Sequence, residues 1–294
     1  MMQRNTMPTC RTRLVLSYRH AFHAGNHADV FKHLALSLIV RALQRKTSPL
    51  CYIDTHAGAG RYDLTSREAE KIGEFRDGIA RLWRREDAPD VSRAFLDILS
   101  AMNPNANLRY YPGSPVIARE LLRAQDRMVL IERHPTDHLR LAEEFDRVPR
   151  CRVEFGDGFE LLKAFVPPRE KRGVVLIDPS YELKTDYKAV VALLSDAVER
   201  WATGTFVLWY PLINRTVADQ LLRRMLVTEI PKILRVEFGL GKPALGAGLW
   251  GSGLVIINPP YQVDEQLKRL LPWLRRVMKA APEAPCTVSW LAAE

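Results

Sequence analysis

The sequence predicts an α/β fold built on a mostly parallel sheet covered on both faces, and three observations predict it. Seven short apolar runs are separated by segments with helical period. Most of these runs are continuous rather than alternating, as strands buried on both faces require. Strand and helix patterns then alternate along most of the chain, which implies crossover connections and two covering layers.

The strand-like runs are Leu50–Asp54, Met128–Glu132, Cys151–Phe155, Gly173–Asp178, Thr205–Trp209, Ile233–Phe238 and Leu254–Asn258, which predicts a seven-stranded sheet. Between them, Tyr187, Val190, Leu194, Val198 and Trp201 recur every three or four positions, as do Leu267, Leu270, Leu274 and Val277. Lys268, Arg269, Arg275, Arg276 and Lys279 fall off the second stripe and read as a solvated helix face. Residues 61–107 break the rhythm. They carry an apparent capping box, Thr65-x-x-Glu68, then Ile72, Phe75, Ile79 and Leu82 at helical spacing, then Val91, Phe95 and Leu99. This segment is expected to be a small helical subdomain inserted into a main domain of residues 15–60 and 108–294. Just after it, Ser114 and Pro115 suit the N-cap and first turn of another helix.

Composition narrows the class. A chain of 294 residues, 47% hydrophobic and 26% charged, suits one globular domain with an insert. No run approaches the ~18 apolar residues of a membrane span. The basic first sixteen residues lack the apolar stretch and cleavage site of a secretory signal, so a cytoplasmic protein is expected. Cys10, Cys51, Cys151 and Cys286 form no C-x-x-C pair and have no histidine at ligand spacing, so reduced thiols and no metal are expected. The formal net charge of +9 favours polyanionic partners without specifying one.

The chemistry concentrates at strand ends. The first strand runs into Asp54-Thr55-His56-Ala57-Gly58-Ala59-Gly60, a glycine-bearing turn over which backbone can approach a ligand. An ordinary tight turn explains the glycines equally well, and the pattern is not the full dinucleotide fingerprint. The second strand ends in Glu132, a carboxylate able to accept both hydroxyls of a ribose. The third ends near Asp157 and Gly158. Each of these acids alone is an ordinary loop acid; three on successive strand ends are harder to dismiss.

The fourth strand leads directly into Asp178-Pro179-Ser180-Tyr181. An exocyclic adenine amine is a poor nucleophile because its lone pair is delocalised into the ring. A carboxylate and a backbone carbonyl accepting its two N–H groups favour the more tetrahedral nitrogen. Asp178 and the Pro179 carbonyl can supply these acceptors, Pro179 stiffens the chain, and Tyr181 offers a ring to stack on the base.

The tetrapeptide follows, with Ser180 in place of proline, the pattern [D/N/S]-P-P-[Y/F/W] of class I, Rossmann-like amino-group methyltransferases. The run from Leu16-Ser17-Tyr18-Arg19-His20 to Asn26-His27-Ala28-Asp29-Val30 resembles the start of the bacterial 23S rRNA adenine-N6 methyltransferase family. The likeness continues through Asp54–Tyr62, Tyr110–Pro115, Ala202–Gly204, Leu208–Pro211 and Ile257–Pro260. It implies a monomer with a small helical insert that uses S-adenosylmethionine as methyl donor. The implied substrate is one adenine of naked or partly assembled 23S rRNA, adenine 2030 by resemblance. Cofactor contacts are expected at His33, His56, Ser114, Glu132, Asp157, Gly158 and Asp178. Tyr18, His20 and Lys32 are expected on the substrate side. The cluster His20, His23, His27 and His33 taken alone suggests a metal site; the resemblance implies none.

Two departures from the family stand out. Serine at position 180 adds an N–H and conformational freedom, which predicts reduced rather than absent activity. Family members also begin near the Leu-Ser-Tyr-Arg-His run, with Val15 where the initiator would stand. Residues 1–14 are therefore expected to be a gene-start artefact or a disordered basic tail. Two other readings stay open: a DNA adenine-N6 methyltransferase, for which the insert is small as a target-recognition region, and a catalytically weak Rossmann-like RNA-binding protein.

Overall fold

A computed structural model describes residues 19–241 and 248–293; the expectations for Tyr18 and for residues 1–14 lie outside them. The described residues open on a 3-10 turn at His20–Phe22, followed by helix α1, His27–Leu43. Asn26 caps α1, its side-chain oxygen accepting from the amides of Ala28 and Asp29. His27 through Val40 are all buried, so α1 runs through the interior. A helix buried on every side shows no single apolar stripe, so its period is not legible in the residues.

Strand β1 (Cys51–Asp54) follows. A short ribbon of β2 (Arg61–Asp63) and β3 (Tyr110–Pro112) brackets helices α2 (Arg67–Ile72) and α3 (Asp90–Met102). Next come α4 (Ser114–Leu121), β4 (Arg127–Glu132), α5 (Pro135–Phe145), β5 (Cys151–Phe155), the short α6 (Gly158–Leu161) and β6 (Gly173–Ile177). The C-terminal part alternates α7 (Asp186–Arg200), β7 (Thr205–Leu212), α8 (Arg215–Val227), β8 (Ile233–Gly239), β9 (Gly251–Ile257), α9 (Val263–Val277) and β10 (Cys286–Ala292).

The main sheet has the order β10-β8-β9-β7-β6-β1-β4-β5. From β5 to β7 it is parallel; β9, β8 and β10 add antiparallel. It is the class I, Rossmann-like arrangement, with eight strands where seven runs were legible. The extra strand, β10, is a half-buried edge in which Thr287 and Ser289 alternate with apolar residues, so it shows no continuous apolar run. Central strands send alternate residues to opposite layers. Tyr52, Val174 and Leu176 join α1, α3, α4 and α9, whereas Cys51, Ile53, Val175 and Ile177 join α7 and α8. Leu64, Ile79, Leu82, Phe95 and Leu99, between β1 and β3, belong to the same cluster as α1.

Three local readings change. The cap of α2 is Ser66, which accepts from Ala69 N, while Thr65 turns its hydroxyl to Asp63. Gly73, at φ +72°, ends that helix in the left-handed conformation, so Phe75, Ile79 and Leu82 lie on and beside short 3-10 turns rather than one long helix. Finally, Gly113 caps α4, and Ser114 is its first helical residue.

Candidate active site

In a sheet with β1 between β4 and β6, the parallel strand order diverges on either side of β1, and the carboxyl ends of these strands form one edge. Asp54, Glu132, Asp157 and Asp178 all stand on that edge, at or just beyond the ends of β1, β4, β5 and β6.

Asp54 is buried and fully engaged. Its Oδ2 accepts from the Tyr52 hydroxyl and the Ser114 hydroxyl, both at 2.6 Å, and its Oδ1 from His56 N at 3.2 Å. Burial pushes its carboxyl up to about 6 against these bonds. It thus ties the glycine turn and the start of α4 to β1. The turn itself needs its glycines: Gly58 and Gly60 have φ of +63° and +80°. A Cβ on Gly58 would fall 2.2 Å from the Tyr62 hydroxyl.

Glu132 accepts from Gly58 N at 2.7 Å through Oε2 and from His134 N at 2.6 Å through Oε1. Burial raises it to about 7. Asp157 caps α6 by accepting from Phe159 N at 2.9 Å, and its other oxygen binds Arg133 at 2.8 Å. Gly158 presses against the first strand end, since a Cβ there would lie 2.1 Å from the Thr55 carbonyl oxygen.

His56 lies edge-on to Phe159 at 5.2 Å, and its Nδ1 is 2.8 Å from the Thr55 hydroxyl. Burial lowers it to about 4, so the ring is neutral at physiological pH. His33, buried in α1, meets the Tyr111 hydroxyl at 2.8 Å and is also held neutral by burial.

Asp178 meets α1. The Lys32 ammonium donates to Asp178 Oδ2 at 2.5 Å and to Asp29 Oδ1 at 2.9 Å. Burial opposes its charge, but the two carboxylates outweigh burial and hold its pKa above the ordinary lysine range. Asp29 Oδ2 in turn accepts from Gly25 N at 3.0 Å and meets His20 Nε2 at 2.9 Å. One buried aspartate therefore links His20 and Lys32. Sequence reasoning missed Asp29, whose signal was its place three residues before Lys32 on one helix face. It also gave no role to Trp209, whose ring lies 5.9 Å below the Lys32 ammonium.

Pro179 is buried, Ser180 is exposed, and Tyr181 adopts φ +53°. The Tyr181 hydroxyl donates to the Trp209 carbonyl at 2.7 Å, and its ring packs 4.5 Å from Tyr187 and 6.0 Å from Trp209. The aromatic ring of the motif is therefore anchored in a cluster. The four N-terminal histidines separate: His20 binds Asp29, His23 binds Glu74, His33 binds Tyr111, and His27 is buried in the first turn of α1. Among the described residues no group of three His, Cys, Asp or Glu is placed to hold a metal ion. No described helix is long and apolar enough to cross a membrane.

Residues 47–292 match the family described as ribosomal RNA large subunit methyltransferase D, RlmJ. The chain is similar to the ribosomal RNA large subunit methyltransferase J of Escherichia coli K12, at 47% identity over 95% of this chain and 100% of the relative. Its similarity to the protein of the same name from Haemophilus influenzae is 43% over 95% and 100%. A crystal structure of a Legionella pneumophila protein matches with a TM-score of 0.84 and 37% identity, covering 91% of this chain and 98% of that one. At these identities and this coverage, the chain belongs to the RlmJ family of ribosomal RNA large subunit methyltransferases.

Proposed function

We propose that this protein methylates the N6 amine of one adenine in 23S rRNA, with S-adenosylmethionine as donor. The resemblance points to adenine 2030. The observation that carries the reading is the partly exposed Asp178 at the end of β6, gripped by the buried Lys32 of α1. We take the protein to act as a cytoplasmic monomer on naked or partly assembled RNA.

The strand-end residues fit the cofactor. Glu132 keeps lone pairs on both oxygens beyond the two backbone amides it accepts, enough for two ribose hydroxyls. Gly58 and Gly158 leave room where a Cβ would collide with Tyr62 or Thr55. His33 and His56 would contact the cofactor as neutral rings, so they do not repel a cationic sulfonium. Ser114, Asp157 and Gly158 complete the set on neighbouring strand ends. When bound, S-adenosylmethionine supplies an electrophilic methyl group.

On the substrate side, Asp178 and the Pro179 carbonyl accept the two N–H groups of the adenine amine and restore its lone pair. Lys32 stays charged between two carboxylates and cannot act as the base; it fixes the Asp178 carboxylate in place. His20 and Tyr18 belong to the segment that presents the base, and Tyr181 with Trp209 supplies its aromatic wall. The test is transfer of labelled methyl from S-adenosylmethionine to unmodified 23S rRNA and to DNA of the same sequence, with the product nucleotide mapped. Label in one N6-methyladenine of the RNA is expected. No transfer to RNA, or transfer to the DNA alone, would overturn the reading.

A further inference from the structure

Residues 68–79 touch the segment that carries His20 at several points. Arg19 lies 3.7 Å from Glu68, and the Lys71 ammonium sits 5.9 Å from the Phe22 ring centre. Glu74 Oε2 accepts from Asn26 Nδ2 at 2.9 Å and meets His23 Nδ1 at 3.1 Å. Ile79 N donates to the Gly25 carbonyl at 2.8 Å. The approach is so close that a Cβ on Gly78 would lie 2.0 Å from that carbonyl oxygen. Gly25 itself has φ +78°, and a Cβ on it would meet Ile79 at 2.9 Å.

The same few residues face the reacting centre on their other side. Gly25 N donates to Asp29, which holds His20 and Lys32, and Lys32 holds Asp178. An unbroken run of hydrogen bonds therefore joins Glu74 to Asp178 through Asn26, Asp29 and Lys32.

We infer that residues 68–79 are the seat for the N-terminal catalytic segment, with Glu74 and Gly78 as positioning residues. On this view the insert serves the methyl-transfer step by fixing His20 and Lys32 against Asp178, rather than by adding RNA-binding surface. The inference rests on the rRNA methyltransferase reading above. A group misplaced by about 1 Å far from the chemistry can cost on the order of 100-fold in rate, so a seat of this kind is read in turnover.

The full chain carrying Glu74→Ala, Glu74→Gln or Gly78→Ala is assayed for methyl transfer to 23S rRNA, and RNA affinity is measured separately by filter retention. Glu74→Ala and Gly78→Ala should lower kcat by roughly 10- to 100-fold, with KM for RNA and retention unchanged within about twofold. Glu74→Gln, whose amide oxygen still accepts from Asn26, should recover kcat to within about threefold of the parent. A higher KM with kcat kept, equal losses in Glu74→Ala and Glu74→Gln, or no change in any variant would overturn the inference. Should the parent protein transfer nothing to RNA, the functional reading fails by itself. The seat is then judged by amide exchange at Gly25 and Asp29, where faster exchange in Glu74→Ala supports it and unchanged exchange overturns it.

Discussion

The two halves of the sheet each set a carboxylate against a cation, and they do so differently. In the antiparallel half, Glu237 of β8 accepts from the Tyr210 hydroxyl at 2.8 Å through one oxygen and from Arg215 at 2.7 Å through the other. Its side chain is 3% exposed. In the parallel half, Asp178 takes the Lys32 ammonium on Oδ2 and keeps 16% of its side-chain surface exposed. Both pairs restrain their elements, but the first carboxylate is enclosed with both oxygens engaged and the second is open at the edge. The difference teaches that access rather than bond count sets what a carboxylate can offer: Glu237 is shut off from solvent, whereas Asp178 keeps part of its surface open at the strand-end edge.

Exchanging the two carboxylates for alanine gives the sharpest contrast. Asp178→Ala should lower kcat on the order of 1000-fold, by loss of an acceptor for the amine, and should also cost some stability because the buried Lys32 then keeps only Asp29. Glu237→Ala leaves the buried Tyr210 hydroxyl without its acceptor, whereas the half-exposed Arg215 keeps Asp219. It should cost about 1–3 kcal/mol of stability while the molecules that remain folded keep the parental rate. Denaturant melts run beside methyl-transfer assays separate the two; matching profiles would erase the distinction.

Next in size is Gly158→Ala, in which the new methyl group would push on the Thr55 carbonyl. Overpacking of this kind costs about 1–3 kcal/mol. Calorimetric titration with S-adenosylmethionine should therefore show Kd rising on the order of tenfold.

A smaller effect comes from Glu132, raised by burial from 4.5 to about 7. A carboxyl raised on folding contributes stability below its unfolded pKa, and that contribution is lost as pH rises through the folded value. In the absence of cofactor, the melting temperature of Glu132→Gln relative to the parent should climb between pH 4.5 and 7 and then level off. A flat difference would mean that the site is wetter than its burial indicates.

The smallest change is expected of Ser180→Pro. Position 180 is exposed, so proline there acts mainly by restricting the unfolded chain and stiffening the loop, about 0.4–1 kcal/mol. Turnover should rise by a few-fold at most, and equal or lower turnover would remove Ser180 as the weak point of the motif.

Much of this edge was legible in the sequence, and for a single physical reason. Strands buried on both faces write themselves as continuous apolar runs, so Asp54, Glu132 and Asp178 could be placed at strand ends, with Asp157 just past a fourth. The other half of the site was hidden. Helix α1 is buried all round and shows no amphipathic period, so nothing marked it as a helix on which the i,i+3 pair of Asp29 and Lys32 would share a face. His20 and Lys32 were suggested by family resemblance alone, and the bond from Lys32 to Asp178 spans 146 residues of sequence, beyond any local pattern. The seat at Glu74 and Gly78 was hidden as well, because apolar residues at helical spacing disguised the break that Gly73 imposes.

The burial of α1 also fixes an order of events during synthesis. Although it is the first described helix, it packs not only on α3 and α4 but also on β8, β9 and α9, and Phe31 meets Phe238 at 5.8 Å. The last three of these partners emerge late from the ribosome. A helix buried all round gains its stability from tertiary packing, and contacts this distant in sequence form late. The packing around α1 is therefore complete only when nearly the whole polypeptide has been made.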